Sequence, residues 1–119
     1  MAAAFVDYYI MFDLERSMTE KEIKKKMAEW SNMLTAQEGT TDPSNIEAKK
    51  ELKENKAHLR EARKILFNAE KRKQYDMELD AAIRAGQVNY EKAREVKDSL
   101  ERARKYFEQQ RYQKAIEAA

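Results

Sequence analysis

The sequence predicts an all-α protein: an antiparallel helical hairpin with short flanking helices and a C-terminal helical extension. Breakers are scarce, with 2 Gly and 1 Pro in 119 residues, while charged residues make up 39% of the chain. That balance favours helices joined by short loops. Apolar residues recur at three- and four-residue intervals, as in Ile23, Met27, Trp30 and Leu34. Capping residues stand where such stripes begin and end: Thr19 with Glu22, then Asn68, then Gly86.

Taken in order, Asp7 is placed to cap a short first helix whose apolar surface is Tyr8, Tyr9, Met11, Phe12 and Leu14. Thr19 and Glu22 form a Thr-x-x-Glu capping box that opens a second helix of about four turns. Lys24, Lys25 and Lys26 give that helix a basic outer face. Residues 35–43 hold one Gly and the only Pro and are expected to form the main loop. Entry to the third helix is set either by Asp42 with Pro43 at the first helical position, or by Ser44 with Glu47 as a capping box. Its stripe is Leu52, Leu59, Ala62, Ile65 and Leu66.

Asn68 ends that helix and caps a fourth, from Ala69 to about Arg84, which Gly86 terminates. A last helix starts near Asn89 with Val96, Leu100, Ala103 and Phe107 on one face, and its pattern restarts after Arg111 at Tyr112, Ala115 and Ile116. The organisation expected is a first domain over 1–80 and a semi-independent helical extension over 81–119. Trp30 is expected to bury against the third helix near Leu59 or Ala62, and Tyr8, Phe12 and Tyr75 to join the same core.

Several function classes are excluded or disfavoured. With no Cys there are no disulfides, thiolate metal sites or Cys nucleophiles, which fits a reducing compartment. No apolar run approaches the roughly 20 residues that span a bilayer. The opening from Met1 to Val6 lacks the basic and long apolar regions of a signal peptide. A cytoplasmic protein is therefore expected. A net charge of +2 is too balanced to imply nucleic acid. His58 is a lone imidazole on a highly charged helix, and carboxylates such as Glu61 have Lys or Arg three or four positions away, as with Lys64. There is no phosphate-binding Gly loop and no Ser-His-Asp set. Neither an enzyme, nor a metal, nor a cofactor is expected.

The run Asp7-Tyr8-Tyr9-Ile10-Met11-Phe12-Asp13-Leu14 resembles the Asp-Tyr-Tyr-Glu-Ile-Leu-Gly-Leu opening of J domains, the helical module of DnaJ-like cochaperones. The spacing to Glu22-Ile23-Lys24-Lys25 matches that family without a gap. Leu59-Arg60-Glu61-Ala62-Arg63-Lys64-Ile65-Leu66 looks like its third helix. Glu70-Lys71-Arg72-Lys73-Gln74-Tyr75-Asp76 is similar to its Glu-Lys-Arg-x-x-Tyr-Asp signature. The resemblance covers roughly residues 5–80 and implies a four-helix J-like domain whose partner is a DnaK-type ATPase. Residues 103–116 look like the middle of a tetratricopeptide repeat, of which about half is present.

Departures from the family carry the functional expectation. Its His-Pro-Asp tripeptide falls, counted without a gap, on Thr35-Ala36-Gln37. Ala28 and Glu29 replace a basic pair on the second helix, and Met27 replaces a Tyr. The resemblance thus implies a protein-interaction module of chaperone or assembly machinery, unable to stimulate the ATPase, with Lys21, Lys24 and Lys25 as its partner-binding surface. Two other classes stay open: a competent cochaperone, and a structural scaffold presenting a repeat domain. Nucleic acid and membrane are not expected partners.

Overall fold

The computed structural model describes residues 5–118, so Met1 to Ala4 of the opening segment lie outside it. The protein is all-α. Five helices follow one another: α1 (Tyr8–Met11), α2 (Glu20–Thr40), α3 (Ile46–Leu66), α4 (Ala69–Arg84) and α5 (Tyr90–Ala118). Helices α2 and α3 pack antiparallel: Lys56 pairs with Glu38 near the loop, and Lys24 lies over the Phe67 ring at the far end. Helix α4 lies against α3, whereas α5 lies against α1, α2 and α3.

Local chemistry sets the helix ends. The Asp7 carboxylate accepts from the backbone N–H groups of Tyr9 (3.0 Å) and Ile10 (3.2 Å), satisfying two donors of the α1 start. Past its end, Asp13 adopts a left-handed φ of 55°. The Leu14 N–H returns to the Tyr9 carbonyl (2.7 Å) and the Asp13 N–H to that of Ile10 (3.2 Å), a Schellman closure without glycine. The Thr19–Glu22 capping box is present in both directions. Asn68 caps α4 by accepting from Glu70 and Lys71 N–H groups. Gly86, at φ 67°, closes α4 with the same two-bond pattern, Gln87 N–H to Ala82 and Gly86 N–H to Ile83.

Two sequence expectations are corrected here. Residues 35–40 are helical, and the connection is only residues 41–45. Nothing between Thr35 and Glu38 breaks a helix, and the stop comes from Pro43, which bars the helical region to the residue before it. Neither Asp42 nor Ser44 caps α3; the cap is Asn45, whose side chain accepts from the Ala48 N–H (3.0 Å), while Asp42 and Ser44 bond each other. Trp30 is buried at 3% exposure, in the cluster that also holds Leu59 and Ala62. Its indole N–H donates to the Phe12 carbonyl (2.9 Å), and the Arg104 guanidinium lies 5.4 Å from its ring centre.

The boundary expected near residue 80 leaves no break in the core. Val88, Ala93, Val96, Leu100 and Ala103 belong to the same buried cluster as Ile23, Leu34 and Leu59. Asn55, buried on α3, donates to the Ser99 hydroxyl of α5 (2.9 Å), and that hydroxyl donates to Glu51. Beyond Phe107 the α5 surface is largely exposed, and the helix runs unbroken through Arg111. No turn interrupts residues 103–116, so within the described residues this segment supplies one helix, where a tetratricopeptide repeat has two.

The N-terminal segment is clamped by α4 and by the turn into α5. The Tyr75 hydroxyl donates to the Val6 carbonyl (2.5 Å) and accepts from the Tyr8 N–H (2.9 Å). The Tyr9 hydroxyl donates to Asp76 (2.5 Å) and accepts from the Arg72 guanidinium (3.1 Å), which also donates to the Arg16 and Met18 carbonyls. Phe5 stacks on Tyr75 at 5.4 Å and exchanges backbone hydrogen bonds with Gln87 and Asn89.

Two predictions follow from this packing. Trp30→Ala lowers stability by about 3–5 kcal/mol, while Trp30→Phe, which only orphans the Phe12 carbonyl and leaves a smaller void, costs about 1–3 kcal/mol in denaturant titration. The second concerns alkaline pH. Burial, reinforced by the bond to Asp76 and opposed by Arg72, pushes the Tyr9 phenol up to about 12. An unfolded Tyr ionises near pH 10. The phenol's contribution is therefore whole below pH ~10 and is lost as the pH rises through ~12. Alkaline unfolding followed by circular dichroism has a shallower pH dependence in Tyr9→Phe than in the parent chain.

Candidate interaction surface

The capping box at Thr19 starts α2 so that Ile23, Met27, Trp30 and Leu34 face inward, and Met33 joins them where α5 covers the flank. Lys21, Lys24 and Lys25 are consequently exposed together on the first two turns. Lys24 is held by Glu20 (3.7 Å) and by the Phe67 ring, 5.6 Å from its ammonium. Lys26, next in the run, points elsewhere and shares the Asp13 carboxylate (3.6 Å) with Lys97 of α5 (3.8 Å). The basic run of the sequence thus divides into an outward trio and an inward tether.

Thr35, Ala36 and Gln37 do not lie beside that trio. Ten residues separate Lys25 from Thr35, about 15 Å along the helix axis. The Thr35 hydroxyl is turned back onto the Ser31 carbonyl (2.9 Å). The Gln37 carbonyl accepts from the Thr41 N–H (2.9 Å) and hydroxyl (2.6 Å), and Ala36 and Gln37 are half-buried. These positions form the last turns of a helix, with no ionisable group among them.

A second basic surface escaped the sequence reading. Lys49, Lys53, Lys56, Arg60 and Arg63 follow one another at four- and three-residue steps and so form a stripe along α3. They line the groove between α3 and α2. Glu51 of α3 sits on the other flank, where it meets Ser99 and Arg102 of α5, and Glu61 pairs with Lys64. The signal was present in the spacing, but it is visible only when charges, and not just apolar residues, are set on the helical period.

His58 is half-buried, and burial with the nearby Lys92 charge holds its imidazole below the usual value. Among the described residues no three His, Cys, Asp or Glu side chains gather to hold a metal. Nor is any helix there long and apolar enough to cross a membrane. Comparison with protein-family models, with curated proteins and with solved structures finds no significant match.

Placing residue 36 inside α2 has a direct test. Ala36→Pro removes one helical hydrogen bond and clashes with the preceding turn, so thermal unfolding registers a loss of up to about 3 kcal/mol. A loop at that position would accept the proline at little cost.

Proposed function

We propose that this chain is a non-enzymatic, J-domain-like protein-interaction module of chaperone or assembly machinery that does not stimulate a DnaK-type ATPase. One observation carries the reading. The two stretches that most resemble the family, Asp7-Tyr8-Tyr9 and Arg72 to Asp76, lie more than sixty residues apart and are bonded to each other through Tyr9, Arg72, Tyr75 and Asp76. A chance likeness gives no reason for its separate pieces to meet. Asp13 adds to this, because it holds a left-handed backbone at the position where the family has Gly.

The loss of ATPase stimulation follows from the other end of α2. A J domain presents an imidazole, a rigid Pro and a carboxylate from a loop. Here Thr35, Ala36 and Gln37 are helical, uncharged and partly engaged with their own backbone. Neither charge pairing nor a fixed φ survives for a chaperone to engage. Lys21, Lys24 and Lys25 keep a positive surface that supports weak docking of an acidic partner. Docking alone does not accelerate turnover. The absence of Cys fits a reducing compartment, and the cytoplasm is the location we propose.

Single-turnover ATP hydrolysis by a DnaK-type chaperone from the same organism, with and without this chain, tests the reading. The expected rate is unchanged by the chain. A several-fold stimulation that disappears in Lys24→Ala overturns it and restores a competent cochaperone.

A further inference from the structure

We propose that the groove between α2 and α3 docks an extended acidic segment of a partner protein, held by the basic stripe of α3. The inference rests on reading the domain as an interaction module, and it assigns a surface other than Lys21, Lys24 and Lys25.

The stripe runs from Lys49 to Arg63, about 21 Å of helix. Neighbours at three- and four-residue steps of like charge repel each other, so the arrangement opposes folding unless something outside the stripe answers it. Inside the fold the answer is small. Glu38 pairs with Lys56, and among the described residues Lys49, Lys53, Arg60 and Arg63 have no carboxylate partner. Glu51 of α3 is directed away from the stripe, at Ser99 and Arg102 of α5. The stripe itself borders an open groove.

The groove's other features select the occupant. Leu34, Leu52 and Leu59 lie buried beneath it as part of the core, and its other side carries Ser31 and Thr35 of α2 with Thr41 at the helix end. The aromatic ring beside the stripe, Phe67, is already covered by Arg63 and Lys24, so a nucleobase finds no open platform there on which to stack. An extended peptide with an acidic residue at every second position places its carboxylates about 7 Å apart on one side, where they meet successive cations of the stripe.

Fluorescence anisotropy with a labelled short peptide alternating Glu and Ser, at low salt, tests the assignment. Three charge-matched variants are compared. One alters the stripe (Lys53→Glu, Arg60→Glu, Arg63→Glu), one the exposed trio (Lys21→Glu, Lys24→Glu, Lys25→Glu), and one exposed lysines elsewhere (Lys50→Glu, Lys71→Glu, Lys105→Glu). The proposal expects a loss of affinity of roughly tenfold or more in the first and about threefold or less in the other two. Lys53→Gln with Arg63→Gln, a milder groove variant, gives an intermediate loss and guards against misfolding of the triple variant. Equal losses in all three variants reduce the effect to net charge and overturn the groove. Loss confined to the trio variant moves the site to α2. No binding to the parent chain, or tighter binding of a single-stranded oligonucleotide than of the peptide, also overturns it. None of these outcomes depends on ATPase stimulation, so this inference fails separately from the J-like reading.

Discussion

The structure depends on how an irregular N-terminal segment disposes of its backbone polar groups. Residues 5–8 precede any helix long enough to satisfy them, yet they lie against the core, where an unpaired N–H or carbonyl costs about 1–3 kcal/mol. Tyr75 answers two of those groups with one hydroxyl, and the Gln87–Asn89 turn answers Phe5. Because the same segment touches both α4 and the entry to α5, it ties the two ends of the chain together. It also sets α1, whose terminal Phe12 carbonyl receives the Trp30 indole of α2. Removing the segment would leave the Tyr75 hydroxyl and the Gln87–Asn89 turn without these partners.

Much of the fold was legible in the sequence because its punctuation is strong. The Thr19 box, Asn68, and Gly86 at φ 67° each act where residue chemistry alone placed them. The stripes of α2 and α3 were equally plain, since Ile23, Met27, Trp30, Leu34, Leu52, Leu59, Ala62 and Leu66 are all buried. What failed was weaker or less local. The stop of α2 depended on Pro43 acting from beyond the helix, in competition with Gly39, which sits harmlessly within it. Asn45 displaced two better-advertised caps.

Tertiary placement was hidden for a different reason. A stripe says that a face is buried, not which polar contacts it makes, and neither the Trp30 bond to the Phe12 carbonyl nor its contact with Arg104 of α5 had a sequence signal. Asn55 and Ser99 carry no apolar signal, yet they join α3 to α5 inside the core. Polar pairs of this kind are specified by each other across 44 residues, and neither position alone announces the contact. The candidate surface behaved likewise. The lysine run on α2 was conspicuous because it is contiguous, whereas the more ordered stripe on α3 is spread over fifteen residues and interleaved with acids.

The N-terminal clamp, together with the direct packing of α5 on α2 and α3, is expected to make α5 part of one cooperative unit with the hairpin. Native-state hydrogen exchange measures this directly, because separate units open with separate free energies. The account predicts that the slowest amides of α2, α3 and residues 93–103 of α5 share one opening free energy, and that Tyr75→Phe lowers all of them together. A lower, independent opening of residues 93–103, with the hairpin amides unmoved by Tyr75→Phe, would contradict it.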